Sequence, residues 1–237
     1  MMILAVDTCS ARGSLALARL DGLLELVELP SEWKSTTLHG EIAGLLGRHG
    51  LRCEQLSGYA VTSGPGAFTG LRIGLTAVLG LAEAHSKPVV AISTLRVIAA
   101  AARAQLPPSF SGSLVPLLDA RRGQIFGALI RPDGDGFSPV LEETVCALPA
   151  LLERIRASDV ATGLPDVRFC ATEWVSFAPQ ILEAGWDSSA LISALPLLAG
   201  PLAEIGLARL QAGLGVPAGR VEANYIRASD AELFWKA

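Results

Sequence analysis

Ser63-Gly64-Pro65-Gly66-Ala67-Phe68-Thr69-Gly70-Leu71-Arg72-Ile73-Gly74 is the stretch on which the reading of this chain turns. It follows Tyr59-Ala60-Val61-Thr62, an apolar run with the pattern of a buried strand, and leads into a proline-free apolar run from Leu71 to Ala84. Gly64 and Gly66 admit positive φ, and Pro65 pre-sets a tight turn. Thr69 is the expected N-cap of the helix. A strand, a glycine turn and a helix N-terminus present backbone N–H groups that favour an anion. The spacing matches neither the P-loop nor the dinucleotide fingerprint. Two readings stand: a phosphate loop, or a structural strand-to-helix turn.

Outward from this centre the pattern repeats. Ile3-Leu4-Ala5-Val6 is an apolar strand ending on Asp7-Thr8, and 14–19 and 23–29 supply two further strands. Leu38, Ile42, Leu45, Leu46 and His49 share one face of a helix that Ser35-Thr36-Thr37 caps and Gly50 stops. The central strand and helix follow, then a strand at 87–92 and an alanine-rich helix capped by Ser93-Thr94. Pro107-Pro108-Ser109-Phe110-Ser111-Gly112-Ser113 reads as a linker. Beyond it Leu114–Leu118 ends on Asp119 as the first strand ends on Asp7. Strands at 124–131 and 140–145, a helix at 148–157 and a short strand at 160–163 complete the second copy. Weaker signals place a strand at 167–170 and helices at 176–184 and 197–214.

Two lobes that repeat strand-strand-strand-helix-strand-helix, each with an aspartate ending its first strand, point to a two-lobed actin-like ATPase (ASKHA) α/β fold. Element order alone also permits a doubly wound α/β domain. The expected division is an N-terminal lobe at 1–106, a linker at 107–113, a second lobe at 114–215 and a tail at 216–237 packing back on the first lobe.

The 237 residues are 51% hydrophobic and 18% charged, enough for a substantial core. No apolar stretch approaches the ~18 residues of a membrane span. The start, Met1-Met2-Ile3-Leu4, lacks a basic segment and cleavage site, so no signal peptide is expected. Cys9, Cys53, Cys146 and Cys170 form no C-x-x-C pair, which suits a reducing cytoplasm. A net charge of −4 argues against tight nucleic-acid binding by this chain alone.

Five motifs occur in order: Ile3-Leu4-Ala5-Val6-Asp7-Thr8, the glycine stretch 64–74, Ser93-Thr94-Leu95, Leu118-Asp119-Ala120-Arg121-Arg122-Gly123-Gln124-Ile125-Phe126, and Tyr225-Ile226-Arg227-Ala228-Ser229-Asp230-Ala231-Glu232. Together they resemble the TsaB (YeaZ) family of tRNA threonylcarbamoyladenosine synthesis. The sequence departs from that pattern at Ala67, Gln124 and Phe126, where the family often has Ser, Glu and Tyr. The resemblance implies a non-catalytic scaffold that stabilises a catalytic paralogue, TsaD, which holds a metal and modifies tRNA. It also implies TsaE, an ATPase, as a third component, a homodimer when alone, and contact with tRNA only through the complex. A M22 glycoprotease-like peptidase or an autonomous actin-fold ATPase is the alternative.

Residue chemistry bears on these readings. In the catalytic paralogue a metal-binding H-x-x-x-H pair follows the strand after its glycine motif. Alignment on Lys87-Pro88 puts Thr94 and Ile98 there, and neither is a transition-metal ligand. His39, His49 and His85 are not clustered, so no metal is expected. Ser63 and Ser93 have no neighbouring base, the G-x-S-x-G elbow is absent, and no catalytic residue is assigned. Cys9 reads either as a reactive loop thiol or as a small buried spacer. Asp7, Thr8, Gly64, Gly66, Thr69 and Asp119 mark a degenerate nucleotide site, with no cofactor beyond weak or interfacial ATP or ADP. Gly70, Gly74, Ala77 and Leu81 form a mostly small stripe on an apolar helix. That stripe is either core or a partner-docking face, flanked by Leu38, Ile42 and Leu45.

Overall fold

A computed structural model describes residues 1–30, 35–134, 136–162 and 166–227. The chain divides into two units, Met1–Val97 with Leu197–Asn224, and Ile98–Pro196 with the residues after Asn224. The first contains strands β1 (Met2–Asp7), β2 (Ser14–Arg19), β3 (Gly22–Glu28), β4 (Gly58–Thr62) and β5 (Val89–Ile92), with helices α1 (Ser35–Arg48) and α2 (Phe68–Ala84). Helix α3 (Thr94–Arg103) follows. The second unit contains β6 (Ser113–Arg121), β7 (Gln124–Asp133), β8 (Gly136–Cys146), β9 (Val167–Ala171) and β10 (Leu191–Ser193), with α4 (Leu148–Thr162) and α5 (Ala178–Glu183). Helix α6 (Ala199–Gln211) returns to the first unit.

The sheet orders are β3-β2-β1-β4-β5 and β8-β7-β6-β9-β10, the same order twice. In each, three antiparallel strands are extended by two parallel ones. This repeat is the two-lobed actin-like α/β fold. The fifth strand of the second copy, β10, has no counterpart in the sequence reading.

The first sheet is sandwiched. Ile3, Leu4, Ala5 and Val6 of β1 are inaccessible, as are Tyr59, Ala60 and Val61 of β4, as expected of strands covered on both faces. Leu38, Ile42 and Leu45 of α1 and Leu71, Leu75 and Val78 of α2 join Leu4, Val6 and Tyr59 in one cluster. Helix α6 covers β1 and β2 and approaches closely at Gly206, where a Cβ would lie 2.6 Å from Ala60 Cβ. The Ala199 N–H donates to Ser14 Oγ (3.0 Å), tying the start of α6 to β2.

Three sequence expectations change. The segment 107–113 falls inside the second unit, because the boundary lies after Val97 and Ser113 already opens β6. Helix α6, expected in the lobe at 114–215, is part of the first unit, since its apolar face covers β1 and β2. The strand read at 160–163 is instead the end of α4, which continues through Thr162; Gly163 lies outside the described residues. Of the tail, 216–224 returns to the first unit. Val216 bridges the edge strand β5 through two backbone hydrogen bonds with Val89, which blunts that edge. The expected turn at 228–232 lies outside the described residues.

Gly206→Leu is expected to lower the unfolding free energy by about 1–3 kcal/mol through overpacking. Denaturant unfolding of the full chain checks this; a wild-type midpoint would show that α6 is not seated as described.

Candidate functional site

The β1–β2 hairpin and the glycine stretch meet at the N-terminus of α2. Asp7 is fully buried. Its Oδ1 accepts from the backbone N–H groups of Cys9 (3.0 Å) and Ser10 (3.4 Å) and from Thr62 Oγ1 (2.9 Å). Its Oδ2 accepts from Ser10 Oγ. Burial pushes the carboxyl above its ordinary 3.8, while the hydrogen bonds from Ser10, Cys9 and Thr62 pull it back. Cys9 is buried beside it, and burial followed by the Asp7 charge pushes its thiol up to about 12. That favours the buried-spacer reading over a reactive thiol.

Thr8 is the wedge. Its Oγ1 donates to Gly70 O (2.8 Å), and its side chain lies against the Gly74 Cα. A Cβ at Gly70 would overlap Thr8 O, and one at Gly74 would overlap Thr8 Oγ1. A Cβ at Gly66 would overlap Cys9 O. The Ala67 N–H donates to Cys9 O (3.1 Å), which closes hairpin onto loop. From the other side the tail residue Asn224 donates its backbone N–H to Ser63 O (2.7 Å) and its Nδ2 to Gly64 O (3.4 Å). Gly64 has φ 97°, and a Cβ there would crowd Asn224 O at 2.8 Å.

Of the expected nucleotide residues, Asp7, Thr8, Gly64 and Gly66 therefore come together, but around each other. Thr8, Cys9 and Asn224 stand where side chains at Gly70 and Gly74, Gly66 and Gly64 would lie. Thr69 is exposed in the first turn of α2; the N-cap is Ala67, without a side-chain cap bond, so the expected capping role of Thr69 is corrected. Asp119 belongs to the second unit, where it is exposed and accepts from the Arg121 N–H (2.7 Å). Thr94 and Ile98 are both buried. His39 lies exposed on α1, His49 pairs with Glu25 (2.7 Å), and His85 caps the C-terminus of α2.

The expected docking residues need correction. Leu38, Ile42, Leu45, Gly70, Gly74 and Ala77 are all buried in the first unit, and Leu81 is half-buried against the same core. The apolar stripes of α1 and α2 face their own sheet, and at Gly70 and Gly74 of α2 Thr8 occupies the room a Cβ would need.

The faces left outside carry a different pattern. On α1, Gly40, Gly44 and Gly47 are exposed at i, i+4, i+7 spacing, with Ala43 beside them. A Cβ at Gly40 or Gly47 would meet nothing within 4 Å; at Gly44 it would meet only Arg48 Nη1 at 3.6 Å. On the neighbouring α2, Phe68, Arg72, Thr76 and Gly80 form the exposed line. The Arg72 guanidinium lies 3.9 Å over the Phe68 ring, and Gly80 also has open space around it. An exposed mid-helix glycine is less favourable than alanine by about 1 kcal/mol, and no described residue lies within 4 Å of where a Cβ would stand at Gly40, Gly47 or Gly80. The spacing was present in the sequence; what it lacked was the information on which side of each helix the sheet lies.

A two-lobed actin-like chain whose hairpin is closed on its own helix thus defines the class. The family model described as TsaD, tRNA N6-adenosine threonylcarbamoyltransferase, matches residues 29–180. The tRNA threonylcarbamoyladenosine biosynthesis protein TsaB of Bacillus subtilis (strain 168) is 31% identical over 160 residues, covering 67% of this chain and 68% of that protein. The protein of the same name from Haemophilus influenzae is 28% identical over 174 residues, covering 69% and 72%. The solved structure of YeaZ from Pseudomonas aeruginosa superposes with a TM-score of 0.69 at 25% identity, covering 94% of this chain and 99% of that one. The chain belongs to the TsaB (YeaZ) family.

Two outcomes are expected. Gly74→Leu should lower the unfolding free energy by about 1–3 kcal/mol or more, because its side chain collides with Thr8; wild-type melting would contradict the packing. Asp7→Asn retains the acceptor of Oδ1, and the Ser10 hydroxyl can rotate to accept from Nδ2. With the Asp7 pKa raised by folding, the native state holds a proton that the unfolded chain has released. Its stabilising effect is complete below about pH 3.8 and is lost as pH rises through the folded pKa. The stability of Asp7→Asn relative to wild type should therefore grow across that window in urea titrations at stepped pH. A difference that stays flat would place the folded pKa at its ordinary value.

Proposed function

We propose that this chain is a non-catalytic subunit of a bacterial assembly that makes threonylcarbamoyladenosine in tRNA, and that it binds and stabilises a TsaD-type catalytic partner. The observation that carries the reading is the line of exposed glycines on α1, with the exposed line of α2 beside it. Helices approach to ~8 Å only where side chains at the contact are small, and Gly40, Gly44 and Gly47 provide that along one face of α1, with the exposed Gly80 on the neighbouring α2. The closed hairpin supports the non-catalytic part, since a carboxylate with four internal donors and no exposure is poorly placed to hold a magnesium nucleotide. The TsaB names of the relatives support the pathway.

A homodimer of the isolated chain would use the same surface, in competition with the partner. A TsaE-type ATPase joins the assembly, tRNA reaches this subunit within it, and the setting is the cytoplasm. No helix among the described residues is long and apolar enough to cross a membrane.

The test is Gly40→Leu combined with Gly44→Leu. Melting should stay at or above wild type, because both side chains enter open space and helix propensity improves. Co-elution with a TsaD-type partner should fall at least tenfold in affinity. Full partner binding by the folded variant would overturn the surface assignment, and failure of the wild-type chain to bind any such partner would overturn the scaffold reading itself.

A further inference from the structure

We propose that residues 228–237 of this chain dock on the outer side of α5 and seat Leu233, Phe234 and Trp235 on an apolar ridge made by Val175, Pro179 and Leu182. The surface belongs to the second unit and does not rest on the function proposed above. Large apolar side chains exposed singly are ordinary. Among the described residues of the second unit, those exposed are Val175, Leu182, Leu195 and Tyr225. Val175 (91% accessible), Pro179 and Leu182 are exposed at i, i+4, i+7 spacing, on one side of α5 and the turn that opens it. The opposite side carries Phe177 and Ile181, both buried in the core of the second unit. A helix that is apolar on opposite sides is stable when both are covered.

The ridge is built by bonded backbone. The N–H groups of Phe177 and Ala178 donate to Trp174 O (3.0 and 2.9 Å), which carries the turn of α5 back to Trp174. Trp174 Nε1 in turn donates to Ser193 Oγ (2.9 Å) and fixes that turn to β10. Val175 therefore points outward because the geometry around it is held.

The chain itself supplies the occupant. Arg227 Nη1 donates to Ala120 O (2.9 Å), near the end of β6. Strands β6, β9 and β10 are parallel neighbours, so their C-terminal ends and the turn into α5 lie at one edge of the sheet. Two strand spacings, ~10 Å together, separate β6 from β10. The six residues from Arg227 to Leu233 span up to ~20 Å when extended, so the segment reaches the ridge. Leu233-Phe234-Trp235 offers three consecutive large apolar side chains, two of them aromatic, to cover it. Asp230 and Glu232 precede this triplet and Lys236 follows it, which leaves the charges outside the apolar contact. A segment tethered this closely faces the ridge at an effective concentration of about mM, well above that of a second copy in dilute solution.

The experiment uses the full chain without a partner. Val175→Cys/Phe234→Cys is oxidised mildly and mapped by peptide mass spectrometry. Leu20→Cys/Phe234→Cys is the reference, because Leu20 is exposed in the first unit. The 175–234 disulfide should form within one chain about tenfold faster than the 20–234 disulfide. In Leu233→Ser/Phe234→Ser/Trp235→Ser, amide hydrogen exchange over residues 175–183 should rise about three- to tenfold, with the first unit unchanged. Val175 is almost fully exposed and the serine variant keeps every described residue, so both retain the fold. A 175–234 disulfide no faster than the reference overturns the proposal. So does one that joins two chains of different isotopic label, which would give the ridge to a second copy. Cross-linking within the chain with wild-type exchange in the serine variant overturns it as well, because the segment then passes the ridge without covering it.

Discussion

Everything in the first unit is adjusted to the insertion of Thr8 and Cys9 into the space before α2. The Thr8 hydroxyl is spent on Gly70 O, Cys9 O on the Ala67 N–H, and Asp7 on donors from its own turn and from Thr62 of β4. Three elements are therefore tied by one buried polar network. A buried carboxyl with missing partners costs several kcal/mol, so Asp7 specifies its neighbours: Ser10 and Thr62 must bring hydroxyls, and the turn must direct two N–H groups inward. Gly66, Gly70 and Gly74 follow from the same insertion, because each faces an atom of Thr8 or Cys9. A fully satisfied network of this kind rigidifies the geometry around it.

The second unit repeats the topology but not the lock. Asp119 accepts from the N–H two residues on, as Asp7 does from Cys9, so the local turn is shared. Its surroundings differ. After β9 comes α5, six residues without a glycine, in place of the 17 residues and three glycines of α2. Asp119 stays exposed, Ala120 after it is buried, and Arg121, Arg122 and Gly123 at the hairpin tip are exposed. One supersecondary plan thus serves two ends: a buried joint in the first unit and a protruding tip in the second.

Much of this plan was legible in the residues. Apolar runs ending on Asp7 and Asp119, with hairpins after each, located the duplication and most strands within one or two positions. Leu191-Ile192-Ser193 is too short to carry a periodic signal, so β10 was invisible. Val160-Ala161 has strand-like character but continues α4, which extends through Thr162. Pro107-Pro108 looks like a boundary in composition, yet a boundary depends on which sheet the later segments cover, and α6 covers the first. Of the residues read as a degenerate nucleotide site, Asp7, Thr8, Gly64 and Gly66 meet around one turn while Asp119 lies in the other unit; spacing shows that glycines allow close approach without showing what approaches.

That last ambiguity separates the two sets of helix glycines. Gly70 and Gly74 lack a Cβ because Thr8 stands where it would be; Gly40, Gly47 and Gly80 lack one with nothing nearby. In the first case the helix penalty is offset inside the unit, by burial and by the Thr8 hydrogen bond. In the second it is not offset by any contact among the described residues, and α1 alone carries about 2–3 kcal/mol of it across Gly40, Gly44 and Gly47. A helix so weakened gains from any association that covers it. By linkage, a partner that binds only the folded form returns that stability in proportion to the logarithm of its concentration over Kd. The sign of that shift is set by linkage alone; where the glycines lie sets which surface a partner could cover closely.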